Sequence, residues 1–155
     1  MSLIPTLLPA SHVLVDLQAA DKESVFEQVA ALLEGKTGIK RSHILGSLRA
    51  RERLASTGLG QGIAIPHGRV RGLREAVGAF VRTRTAIDFG APDNRPVNLI
   101  FVLLVPEKST DLHLEILGEL AQMFSDRTLR AELAGAPDAL AVQRLISRWA
   151  ASLPL

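Results

Sequence analysis

The stretch Val97-Asn98-Leu99-Ile100-Phe101-Val102-Leu103-Leu104-Val105 is apolar at every position but Asn98. A strand with one wet face alternates polar and apolar side chains, so a run of this kind suits a strand covered on both faces. Its longest uninterrupted part, Leu99 to Val105, is far short of the ~20 apolar residues of a membrane-spanning helix. Pro106 ends it, because proline has no N–H to give to a sheet.

Working outward, Ala76 to Arg84 is strand-like and Ile87 to Phe89 reads as a small further piece. Ile63 to Ile65 is a short strand closed by Pro66, and His12 to Leu17 alternates in the manner of a strand. Helical spacing of Val25, Phe26, Val29, Leu32 and Leu33 predicts a helix over residues 22–34, with Asp21 as its N-cap and Gly35 and Gly38 as its end. A second helix is expected from Arg41 to Leu54, with Arg51 at the edge of its apolar stripe. After Pro106, Ser109 or Thr110 is expected to cap a helix running to Phe124. Ser125 then caps a short helix near residues 126–133, and Pro137 fits the first turn of a last one. Strands and helices interleave, so the fold class is α/β. The expected architecture is a three-layer α/β/α sandwich with a mixed sheet of about five strands, residues 1–155 forming one domain.

The 155 residues are 47% hydrophobic and 22% charged, the balance of an ordinary globular protein. Cysteine is absent, which excludes disulfides and thiolate metal sites and fits a reducing compartment. Met1 to Leu8 have no basic n-region, so the chain reads as cytoplasmic, without membrane insertion. Arginines cluster at Arg49, Arg51 and Arg53 and again at Arg69, Arg71 and Arg74. With a net charge of only +2 and 4% aromatic residues for base stacking, nucleic acid is disfavoured as a partner.

The chemistry is expected in Gly58-Leu59-Gly60-Gln61-Gly62-Ile63-Ala64-Ile65-Pro66-His67-Gly68. A dinucleotide fingerprint needs a strand before its glycines and a helix after them; here the order is reversed, and the lysine of a P-loop is absent. Alone, the run reads as a glycine-rich turn entering a strand. Glycine loosens the backbone and proline stiffens it, so the pair fixes a path that ends on an imidazole, with Gly68 leaving room beside the ring for a partner. His12 and His43 read as ordinary surface or edge residues. His113 falls in the first turn of the helix after the buried strand, where the positive helix end disfavours an imidazolium and favours a nearby anion. It reads either as a partly buried helix residue or as a neutral donor to a phosphoryl oxygen. No third ligand at useful spacing supports a metal site, and Gly-x-Ser-x-Gly is missing.

The run Arg51-Glu52-Arg53-Leu54-Ala55-Ser56-Thr57-Gly58 through Gly68, with Val102-Leu103-Leu104-Val105-Pro106 and Asp111-Leu112-His113-Leu114, resembles the active-site segments of mannitol/fructose-type IIA proteins. These belong to the bacterial phosphoenolpyruvate:sugar phosphotransferase system. The resemblance covers Leu3 to about Trp149. Ser56-Thr57-Gly58, Ile87-Asp88-Phe89 and the short chain are most like the nitrogen-regulatory branch, and nothing resembles a fused IIB or IIC domain; Gln61 stands where relatives commonly carry Asn. The resemblance implies a phosphotransferase in which His67 takes a phosphoryl group from an HPr-type phosphocarrier protein, on Nε2, without a cofactor. Arg51 and His113 are implied as donors to the phosphoryl oxygens, and the glycines as room for the carrier. Regulatory target proteins would read the state of His67. Alternatively the chain is a sugar-specific component feeding a IIB domain, or a regulatory binding module that no longer turns over. Arg69 and Arg71 read as steering residues for a phosphorylated donor or as solvated edge residues.

Overall fold

The computed structural model describes residues 2–109 and 111–153. Strands β1 (Val13–Leu17), β2 (Gly58–Gly60), β3 (Ile63–Ala64), β4 (His67–Val70), β5 (Val77–Ile87) and β6 (Val97–Pro106) form one mixed sheet of order β1-β5-β6-β3-β2, with β4 also paired to β6. Strand β6 runs antiparallel to β5 on one side and parallel to β3 and β4 on the other. The glycine-rich segment therefore lies along β6 in two pieces, Ile63 opposite Leu99 and His67 opposite Leu103. Pro66 sits at the join; it cannot donate to the ladder, but its carbonyl accepts from Leu103 N at 2.9 Å.

Helices α1 (Ile4–Leu7), α2 (Lys22–Thr37), α3 (Arg41–Leu54), α4 (Asp111–Phe124), α5 (Arg127–Gly135) and α6 (Ala139–Ala151) cover the two faces. The two-residue period of β6 divides the core. Leu99, Phe101, Leu103 and Val105 pack with α1, α4, α5 and α6, while Ile100, Val102 and Leu104 pack with α2 and α3. All seven are buried, which explains why that stretch has no polar alternation.

The α/β sandwich stands as expected, but its strands are distributed differently. The pieces expected at Ala76–Arg84 and Ile87–Phe89 give way to one strand, β5, which starts at Val77, has an irregular register between Arg82 and Ile87, and ends at Ile87, leaving Asp88 and Phe89 outside it. Strands β2 and β4, within the glycine-rich segment, bring the sheet to six; their glycines hide the alternation by which strands are recognised. Helix α2 continues through Gly35 to Thr37 and stops at Gly38, whose φ of +78° closes it in the left-handed region. Asp126, not Ser125, caps α5 by accepting from Leu129 N, and Asp138 caps α6, leaving Pro137 outside it. Of the two expected caps of α4, Thr110 lies outside the described residues. His12 is buried, not a surface residue, and its Nδ1 pairs with the Gly78 carbonyl at 2.9 Å. Arg82 is buried too; its Nη1 donates to the carbonyls of Leu133 at 3.0 Å and Ala136 at 2.7 Å, closing the end of α5.

Gly68 faces inward, not towards a partner. A Cβ there would run into Ser47 of α3, whose Oγ donates to the Arg69 carbonyl at 2.8 Å. Gly58 would likewise meet Ala91 at 2.9 Å. These glycines let α3 and the segment before β6 close on the sheet. Gly68→Ala is expected to destabilise the protein by about 1–3 kcal/mol through overpacking, read as a lowered thermal midpoint; an unchanged melt would show that α3 does not rest on this position.

Candidate functional site

His67 opens β4 at the Pro66 join and is half-buried. Its Nδ1 lies 2.8 Å from the Ile65 carbonyl. A carbonyl oxygen only accepts, so Nδ1 carries the proton and the neutral ring keeps its lone pair on Nε2. The Ile65 carbonyl is itself placed by backbone pairing, because Ile65 N donates to the Thr57 carbonyl at 3.0 Å.

His113, the third residue of α4, meets His67 edge to face, with ring centroids 5.2 Å apart and an interplanar angle of 85°. Its Nδ1 is buried without a hydrogen-bond partner among the described residues. An orphaned buried N–H is rarer than an orphaned acceptor, so the unpartnered Nδ1 fits a ring protonated on Nε2. His113 would then present an N–H beside the lone pair of His67.

Arg51 lies in the last turn of α3, half-buried, with Nη1 donating to the Ala55 carbonyl at 2.8 Å. The guanidinium is near enough to depress both imidazoles electrostatically. Burial is the main reason that His67 is held below the ordinary imidazole value; its bond to Ile65 works the other way, Arg51 adds to the depression and Glu52 opposes it. His113 is lowered first by burial, then by His67, Arg69 and Arg51. Both shifts favour the neutral ring over the imidazolium. The three residues singled out in the sequence, Arg51, His67 and His113, thus converge from α3, β4 and α4. His43 is exposed and apart from this group by its place near the start of α3.

A model of the "Phosphoenolpyruvate-dependent sugar phosphotransferase system, EIIA 2" family matches residues 6–149. The chain belongs to that family. EIIA 2 proteins are phosphotransfer components of the system. The chain is 39% identical to the nitrogen regulatory protein of Pseudomonas aeruginosa, covering 90% of this chain and 92% of that one. It is 32% identical to the fructose-specific EIIA component of Haloferax volcanii over 93% and 94% of the two chains. The crystal structure of nitrogen regulatory protein IIA-Ntr from Neisseria meningitidis superposes with a TM-score of 0.89 at 46% identity, covering 94% of this chain and 99% of that one. Mannitol IIA of Escherichia coli, in its complex with phosphorylated IIB, shares the fold at a TM-score of 0.77 and 19% identity, over 91% and 97% of the chains.

Two further residues of this segment were not assigned a role by sequence reasoning. Gln61 has a φ of +58° between Gly60 at +89° and Gly62 at +80°, so the β2–β3 turn is left-handed throughout. Asn tolerates that region better than Gln, so Gln61 sits in a backbone conformation that its side chain does not favour. Glu52, next to Arg51, has a buried side chain hydrogen-bonded to Thr57; its signal was only its place at a helix end.

In an NMR pH titration, His67 and His113 are expected to protonate below 6.5, the ordinary value. Replacing Arg51 by Met should raise both midpoints, since a cation disfavours imidazolium; unmoved midpoints would separate Arg51 from the site. The unfolded chain takes up protons first, so the stability contributed by the two neutral rings is complete above about pH 6.5 and is lost as the pH falls towards the folded-state midpoints.

Proposed function

We propose that this EIIA 2 protein accepts a phosphoryl group on His67 Nε2 from an HPr-type phosphohistidine carrier, and that it serves as a nitrogen-regulatory component. The observation carrying this reading is the hydrogen bond of His67 Nδ1 to the Ile65 carbonyl, which leaves Nε2 as the nucleophilic nitrogen. Nε2 attacks phosphorus in line, the P–N bond of the donor breaks, and the leaving imidazole departs neutral if its other nitrogen is protonated. The proton on His67 Nδ1 stays in place, and the Ile65 carbonyl stabilises the positive charge that attack leaves on the ring. Transfer of this kind needs positioning and charge stabilisation more than covalent help. Arg51 supplies paired N–H groups for phosphoryl oxygens, and His113 a single Nε2–H donor.

Docking of a protein donor is supported by exposed apolar side chains on the elements that carry the site. Leu54 follows Arg51 in α3 and is 82% exposed; Leu112 and Leu114 flank His113 at 37% and 69%. No described helix is long and apolar enough to cross a membrane, and together with the absence of cysteine this supports a cytoplasmic setting. In this reading residues 1–155 act as one domain. Regulatory targets would distinguish the phosphorylated from the free form through the charge added at His67.

A sugar-specific role is the second reading, supported by the likeness to the fructose-specific component of Haloferax volcanii. It differs by requiring transfer onward to a IIB domain.

Incubation with phosphoenolpyruvate, an enzyme I-type kinase and an HPr-type carrier should produce an acid-labile phosphohistidine that His67→Ala abolishes. Full labelling of that variant would sink the assignment, and an unlabelled wild type with retained partner binding would favour a module that no longer turns over. Arg51→Ala and His113→Ala are each expected to slow transfer about 10²- to 10³-fold, as for other preorganised donors, with melting little changed. Rapid transfer of the label to a fructose-type IIB domain would move the assignment to the sugar-specific reading.

A further inference from the structure

We infer that Glu52, held by Lys22 and Thr57, is a positioning residue for the phosphoryl-accepting site, setting both the tautomer of His67 and the anchor of Arg51. The inference rests on the phosphoryl-transfer reading above for its consequence, and on geometry alone for its existence.

The side chain of Glu52 is 7% exposed, although its neighbours Arg53 and Leu54 face solvent. A carboxylate so buried needs partners for both oxygens, and it has them. Oε2 accepts from Thr57 N at 2.9 Å and from Lys22 Nζ at 3.0 Å, and Oε1 accepts from Thr57 Oγ1 at 2.6 Å. Lys22, at the start of α2, also donates to the Phe89 carbonyl at 3.2 Å and lies 4.9 Å from the centre of the Phe89 ring. That same carbonyl accepts from Ser56 Oγ at 2.6 Å. Residues 56 and 57 are thereby fixed against α2 and the loop after β5.

Two routes lead from this clamp to the site. Thr57 passes its position on through its carbonyl, which holds Ile65 N at 3.0 Å, and Ile65 in turn holds His67 Nδ1 at 2.8 Å. Three hydrogen bonds thus separate the Glu52 carboxylate from the imidazole. On the other route, the Ala55 carbonyl that receives Arg51 Nη1 lies two residues before Thr57. Helix α3 ends at an extended Ala55, and side chains of its own last turn, Arg51 and Glu52, catch the outgoing backbone. Glu52 touches neither the reacting nitrogen nor the position of a phosphoryl oxygen. It acts through the backbone it holds.

The test uses the full chain with Glu52→Ala and Glu52→Gln, read by ring 15N NMR of His67 without any phosphoryl donor, by transfer kinetics and by melting. Glu52→Ala is expected to leave His67 as a mixture of tautomers and to lower kcat for transfer by on the order of 10- to 100-fold, the cost of a small misplacement. KM for the phosphorylated carrier should stay within about twofold, since uniform binding is untouched. Glu52→Gln keeps hydrogen bonds to Thr57 and should restore the single Nδ1–H tautomer and most of the rate. A lowered melting midpoint with unchanged tautomer and kcat would overturn the inference, as that is a purely structural role. If Glu52→Ala does not fold, Thr57→Val, which removes the Thr57 Oγ1 bond to the Glu52 carboxylate, is judged by the same two outcomes. A wild type that accepts no phosphoryl group would end the transfer reading, whereas the tautomer measurement would still decide the role of Glu52.

Discussion

Strand β6 has an apolar demand on both of its faces and a hydrogen-bonding demand on both of its edges. Helices from two layers meet the first and β5 on one side with β3 and β4 on the other meet the second. Everything that positions the site follows from this. The glycine-rich segment must lie flat against β6 to satisfy its edge, and the pause at Pro66 sets where His67 begins. The exit of β6 then leads into α4, which carries His113 back to the same place. Loss of a single buried large side chain from such a strand costs about 2–5 kcal/mol, a large part of the stability of an ordinary domain.

Within that frame the site is made of small electrostatic differences. Burial disfavours the imidazolium form of His67 and His113, and Arg51 reinforces this. A carbonyl fixes one proton, an orphaned nitrogen implies another, and the two rings thereby play opposite roles, one offering a lone pair and the other an N–H. A backbone oxygen on Nδ1 leaves the lone pair of His67 on Nε2. Exposed leucines stand on the same elements, Leu54 on α3 and Leu112 and Leu114 on α4, and in the proposed reading they offer a protein donor an apolar surface.

Much of this was legible in residues. The continuous apolar run of β6, the 3.6-residue spacing of α2 and α3, and the reversed order of strand and helix around the glycines indicated an α/β sandwich without a nucleotide loop. Other features were not. The roles of Gly58 and Gly68 were misjudged as room for a partner, because a missing Cβ looks the same in sequence whether a ligand, a carrier or the chain's own helix fills the space. His12 looked like an edge residue, and only the approach of Gly78 shows it to be buried. Glu52 was in plain view beside Arg51, yet a carboxylate at a helix end is ordinarily solvated; its contact with Lys22, thirty positions away, is a tertiary fact.

The sequence by itself determined the layer architecture and the family, because hydrophobic period and an ordered motif are local properties carried by consecutive side chains. It also singled out Arg51, His67 and His113. Only the tertiary structure decided which nitrogen of His67 is free, which way the glycines face, and what holds Arg51 and His67 in register with each other. Those depend on hydrogen bonds between backbone groups of different strands and on burial by distant helices, and neither quantity exists until the chain has closed around β6.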